Sequence, residues 1–156
     1  LADQDDVWEN NKVYIMLKYL EHFDLVVSDA IVIDTYGNII CESFYKLRHS
    51  GKGLLKNIYK NSYIGCCMGF RKSILAEALP FPRKIPMHDM WLGIVAELCG
   101  NVIFIDEKLI RYRWHENNFT QKKMGASEAF ANSIKYRYYL FFAILKKIWK
   151  RFGNGF

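Results

Sequence analysis

Leu1-Ala2-Asp3-Gln4-Asp5-Asp6-Val7-Trp8-Glu9-Asn10-Asn11-Lys12-Val13 is the stretch on which the reading of this chain turns. An apolar pair runs into three carboxylates within four residues, and an aromatic and a lysine follow. Carboxylates this close repel one another unless a cation or water screens them. A divalent ion resolves the conflict, because hard cations take carboxylate oxygens. The competing explanation is a helix amino terminus, where acids also suit the dipole. Asn10 or Asn11 can cap that helix equally well, so the tetrad alone leaves both explanations open. Functional-looking residues follow Leu1 at once, and the chain is therefore expected to be a piece of a longer domain.

Outward from the tetrad, Asn10 to Phe23 is expected to be a helix, with Val13, Met16, Leu17 and Leu20 on one side. Leu25 to Ile33 is β-rich, Tyr36-Gly37-Asn38 is a turn, and Ile39-Ile40 can pair back as a hairpin. Phe44 to Asn61 is a polar, basic loop with a short helix. Tyr63 to Phe70 is expected to be a strand of small residues, and a short helix then runs to Ala78. Pro80, Pro82 and Pro86 break regular structure. A helix from Met87 to Leu98 ends at Gly100. Val102 to Ile105 and Leu109 to Trp114 are expected as two strands around a turn at Asp106-Glu107, and His115 to Gly125 as a polar loop. The last helix carries Ile134, Tyr138, Phe141, Leu145, Ile148 and Phe152 three or four residues apart, an apolar stripe.

Composition narrows the class. With 51% apolar and 16% aromatic residues, the 156-residue chain has the material for one well-packed domain. No stretch reaches the roughly 18 uninterrupted apolar residues of a membrane span. With early acids and no basic start, the first residues are not expected to be a signal peptide. Cys41, Cys66, Cys67 and Cys99 lack paired zinc-site spacing and are expected to be reduced thiols of a cytoplasmic protein. The net charge of +6 comes entirely from the carboxyl end. From Ile134 to Phe156 the bases are Lys135, Arg137, Lys146, Lys147, Lys150 and Arg151, with no acid. This helix either packs on the domain with a solvated basic face or lies on an anionic membrane surface. Nucleic acid is not an expected partner, since the body has no basic patch.

Pro86-Met87-His88-Asp89-Met90-Trp91 sets an acid in the first turn of a helix, among aromatic and Met residues. A carboxylate in a partly apolar pocket has a raised pKa and suits a general base. The plain alternative is a capping acid. The pair His88-Asp89 also resembles the dyad of HD-type metal phosphohydrolases, but His22 and His49 do not supply the further ligands that such a site needs. Tyr63-Ile64-Gly65-Cys66-Cys67-Met68-Gly69-Phe70 either lines a ligand pocket closely or packs tightly between sheet and helix.

Three of these segments together resemble family 2 glycosyltransferases, in particular the rhamnosyltransferase-like bacterial group. The opening stretch resembles their DxD segment, Met87 to Trp91 their acceptor-side acid motif, and Arg111-Tyr112-Arg113-Trp114-His115-Glu116-Asn117-Asn118 their Tyr-Arg-x-His-x-x-Asn segment. The resemblance covers Leu1 to about Thr120 and implies an α/β fold. This is a partial GT-A fold, a mixed sheet flanked by helices, without its amino-terminal nucleotide-binding half. Residues 1–125 form the metal and acceptor half and 126–156 a basic amphipathic helix. It implies Mg²⁺ or Mn²⁺ on Asp3 and Asp5, with Asp5 the direct ligand and His115 completing the shell. Asp89 falls on the catalytic base. His88 departs from the Glu-Asp form of the motif and either bonds acceptor or phosphate or simply packs. Asp6, Trp8, Gly65, Cys66 and Trp91 are implied around donor and acceptor, and Arg111 and Arg113 near the diphosphate. The implied partners are a nucleoside-diphosphate sugar donor and a glycan or lipid-linked acceptor in cell-surface polysaccharide synthesis. The chain lacks the Gln-x-x-Arg-Trp of processive synthases, which points to single-sugar transfer. A non-catalytic adaptor built on the same domain is the alternative.

Overall fold

The computed structural model describes residues 3–85, 87–114 and 126–153. The elements are β1 (Val7–Trp8), α1 (Lys12–Leu20), β2 (Leu25–Ile33), β3 (Ile39–Cys41), α2 (Phe44–Arg48), α3 (Leu54–Tyr59), β4 (Met68–Phe70), α4 (Lys72–Ala78), α5 (His88–Cys99), β5 (Val102–Arg113) and α6 (Ala126–Gly153). The chain is α/β, with a mixed sheet flanked by helices. The sheet runs β1-β5-β2-β3, and β4 also pairs with β2. Among the described residues only β2 and β5 pair in parallel; the other pairs are antiparallel.

β2 reads Leu-Val-Val-Ser-Asp-Ala-Ile-Val-Ile and is buried at nearly every position. Both its faces are covered, so its residues are apolar on both sides of Ser28-Asp29 rather than alternating. Leu25 and Val27 face a core built with α4, α5 and α6. Val26 faces the smaller core under α1, with Met16, Ile105 and Leu109. On α1 the inward residues are Met16 and Leu20, while Val13 and Leu17 of the expected side are exposed.

Two strand expectations differ from the structure, and the expected loop with a short helix at Phe44 to Asn61 holds two helices, α2 and α3. Tyr63 to Phe70 is not one strand: a 3-10 turn at Gly65–Cys67 precedes the three residues of β4. Val102 to Arg113 is one strand, not two around a turn. Its second half keeps running alongside β2, and Asp106-Glu107 is absorbed as a bulge between the pairs Ser28–Ile105 and Asp29–Lys108. Gly100 does follow α5, but in extended backbone with φ −152°. Close packing is what requires glycine there, since a Cβ would lie 2.6 Å from Asp24 Oδ2.

Asp29 is a buried acid in the middle of β2. Its oxygens accept from the Ser43 hydroxyl (2.5 Å), the Tyr45 N–H (2.9 Å) and the Ala30 N–H (2.8 Å). Ser43 also caps α2 by accepting from the Lys46 N–H. The carboxylate thereby fixes the start of α2 against the sheet. Ser43→Ala is expected to lower stability by about 2 kcal/mol, because it removes a charged hydrogen bond and a cap together. Chemical denaturation checks this, and an unchanged midpoint would refute it.

α6 packs through Leu140 and Ile144, which are buried in the same cluster as α5. The side chains of this helix are described from 135 to 149. The expected apolar stripe is not the packing face: Tyr138, Phe141, Leu145 and Ile148 are exposed. Two of the bases serve the packing instead. Lys147 pairs with Glu77, and Arg137 donates to the Tyr59 carbonyl at 2.7 Å.

Candidate functional site

The acidic loop is pinned to the end of β5 by Arg113. Its N–H donates to Asp6 Oδ1 (2.9 Å), and its guanidinium donates to the carbonyls of Asp5 (2.9 Å), Asp34 (2.9 Å) and Thr35 (3.0 Å). Arg113 thus ties the loop to the β2–β3 turn, a positioning task. Arg111, one pleat away, pairs with Glu9 at 3.0 Å on the exposed edge where β1 meets β5.

Asp3, Asp6 and Cys66 present ligand atoms within 4.8 Å of one another. This grouping differs from the expected Asp3 and Asp5, because the Arg113 N–H draws Asp6 inward. Asp6 Oδ2 is buried, and the Cys66 thiol is a weak donor to this carboxylate. Burial pushes the Asp6 carboxyl above its usual value, and the Arg113 N–H pulls the other way. Cys67 and burial hold the Cys66 thiol protonated, so it offers a neutral sulfur and not a thiolate.

Lys12, the first residue of α1, is 4% exposed. Its ammonium donates to the Cys66 carbonyl at 2.5 Å and lies 4.1 Å from the centroid of the Trp8 ring. Burial lowers its pKa, with Asp6 and Asp3 among the groups opposing that shift. Trp8 itself is 41% exposed. Sequence reasoning gave Lys12 no role, and nothing in its spacing signals that it reaches a segment 54 residues away.

Asp89 sits in the first turn of α5. Its Oδ1 accepts from the Met90 N–H (2.7 Å) and its Oδ2 from the Gly65 N–H (3.2 Å). Burial raises its pKa, and the neighbouring N–H groups and His88 only partly offset this. Gly65 and Cys66 therefore join the two halves of the site: Gly65 holds Asp89, and Cys66 faces Asp3 and Asp6.

Asp89 opens into a cleft of about 380 Å³. Its walls are aromatic, with Phe44, Tyr59, Tyr63, Tyr112, Trp114 and Tyr136, and Arg48 and Lys60 add positive charge. The acidic-loop carboxylates are not in this lining. Tyr63, Tyr112 and Trp114 lie in segments singled out from the sequence, but no motif gathers these walls, which come from four separate stretches of chain. Trp91 belongs elsewhere: it is 4% exposed, within the core, and its indole N–H donates to the Ala78 carbonyl at 2.9 Å. His88 is exposed and packs edge-on against Phe81. His115, the expected third metal ligand, lies outside the described residues, as does the polar loop that begins with it. No family model matches the chain, and a search of curated proteins returns no match.

Proposed function

We propose that this chain carries the metal and acceptor side of an inverting glycosyltransferase of the GT-A type. The observation that carries the reading is the Gly65–Cys66 segment, which joins the exposed Asp3 and half-buried Asp6 carboxylates to Asp89 through one hydrogen bond and one side chain. Transfer with inversion needs these two kinds of group: carboxylates for the donor's diphosphate end and a base for the acceptor. The resemblance in three ordered segments supplies the family.

In this reading Asp3 and Asp6 hold Mg²⁺ or Mn²⁺. The buried Asp6 Oδ2 supports this: the Cys66 thiol is a weak donor to this carboxylate, and a hard cation satisfies the oxygen better. A protonated Cys66 makes a thiolate-seeking metal a poor fit. Held by Asp3 and Asp6, Mg²⁺ or Mn²⁺ would supply charge neutralisation for a departing nucleoside diphosphate. Asp89 takes the proton of the acceptor hydroxyl as that oxygen bonds to the anomeric carbon. The bond from that carbon to the diphosphate oxygen breaks, and its electron pair leaves with the nucleotide. The aromatic walls hold an acceptor sugar by its apolar faces and keep water from Asp89. The acceptor is a glycan or lipid-linked sugar, which sets the work in the cytoplasm at the inner face of the membrane.

Titration of the intact protein with a nucleoside diphosphate tests this. Mn²⁺ is expected to tighten binding about tenfold, a coupling of ordinary size. Asp6→Asn is expected to remove the coupling and leave the fold intact. Binding that ignores Mn²⁺, or no binding at all, would instead favour a non-catalytic adaptor.

A further inference from the structure

We infer that the outward face of α6 docks on an anionic lipid bilayer. α6 is fixed to the body by Leu140 and Ile144, and Tyr136 on the same helix lines the Asp89 cleft. At 100° per residue, the opposite side of the helix is a continuous apolar arc. It holds Tyr138 (59% exposed), Phe141 (55%), Phe142 (49%), Leu145 (44%), Ile148 (36%) and Trp149 (74%). Six large apolar side chains along one exposed arc are a covered surface rather than scatter. No helix among the described residues is long and apolar enough to cross a membrane, so the arc lies on the surface of a bilayer rather than through it.

Charge selects the occupant. Lys135 precedes Tyr138 by three residues and Lys146 follows Phe142 by four, so both stand at the margin of the arc, and both are exposed. From Ile134 to Phe156 there is no acid. A second copy would bring the same uncompensated bases against these and be repelled, whereas acidic headgroups attract them. Tyr138 and Trp149 add rings of the kind that settle at the lipid–water boundary. Docking in this way puts the helix that helps wall the cleft at the membrane surface, where a lipid-linked acceptor is presented. That last step rests on the transferase reading; the docking itself does not.

Vesicle flotation of the intact protein tests it. Binding is expected to phosphatidylcholine vesicles that contain phosphatidylserine, to weaken in high salt, and to be far weaker with phosphatidylcholine alone. Phe141→Ser with Trp149→Ser, both solvent-facing, is expected to weaken binding by about tenfold per side chain. Lys135→Gln and Lys146→Gln are expected to weaken it by about fivefold each, on the anionic vesicles only. No flotation at low salt, or equal flotation on neutral vesicles, overturns the inference. So does a dimer in solution that Phe141→Ser with Trp149→Ser abolishes, which assigns the face to a second copy. Failure here leaves the Mn²⁺ titration untouched, so the two readings fail separately.

Discussion

Asp89→Asn is expected to reduce sugar transfer by about a hundred- to ten-thousand-fold, the usual contribution of a general base. Donor binding is expected to stay unchanged, since the Asp3, Asp6 and Cys66 cluster does not include Asp89. The substitution keeps one oxygen to accept from Met90 or Gly65, so the first turn of α5 keeps its anchor. Single-turnover assays against nucleotide titration separate these two outcomes. Turnover retained near the wild-type level would remove Asp89 from the mechanism.

The pH dependence of that role has a definite sign. A base works as the carboxylate, and burial raises the pKa of Asp89. The acid limb of the rate profile is therefore expected above the ordinary aspartate value of about 4, with activity lost as pH falls through it. Stability moves the other way. Between the unfolded value and the raised folded value the native protein holds this proton more tightly, so stability falls as pH climbs through that window. The penalty is complete above it.

Gly93→Ala is expected to destabilise the protein by about 3 kcal/mol, at the upper end of overpacking costs. In a chain of this size that is a fall in Tm of about 10 °C. A Cβ at Gly93 would lie 2.2 Å from Tyr63 Cδ2 and 2.3 Å from Cγ. The ring has no room to yield: Tyr63 is 1% exposed, and its hydroxyl donates to Glu97 at 2.8 Å. Phe104 packs on the same ring, 5.6 Å between centroids. Because Tyr63 also walls the Asp89 cleft, acceptor KM is expected to rise in whatever fraction folds. An unchanged melting curve would show that α5 and the Tyr63 segment are not locked together.

Several elements were legible from local pattern. The run Leu25 to Ile33 reads as β-rich and is a strand with those bounds. The Tyr36-Gly37-Asn38 turn returns the chain as a hairpin, with Ile39 opposite Ile33. Asp89 was legible as an acid in a first helical turn beside apolar residues, a placement that spacing alone specifies. Elsewhere pattern fell short. The periodic stripe on α6 leaves open whether it meets the body or a membrane, and in the fold Leu140 and Ile144 pack instead. A helix with apolar residues on two sides carries two equally periodic stripes, and the period does not say which one meets the body. Asp106-Glu107 looked like a turn because polar pairs break strands, but pairing with β2 carried the strand through it.

The sequence by itself determined most of the helices and the β2 strand, and it showed acids crowded at the amino end and one in the first turn of a helix. Tertiary structure alone decided which of those acids meet. Asp6 rather than Asp5 joins Asp3 because the N–H of Arg113, 107 residues away, turns it inward. Gly65 reaches Asp89 across 24 residues, and the cleft walls are gathered from distant stretches. Periodicity reports only an element's own geometry. Meetings of this kind depend on strand register and loop anchoring, which no single segment encodes.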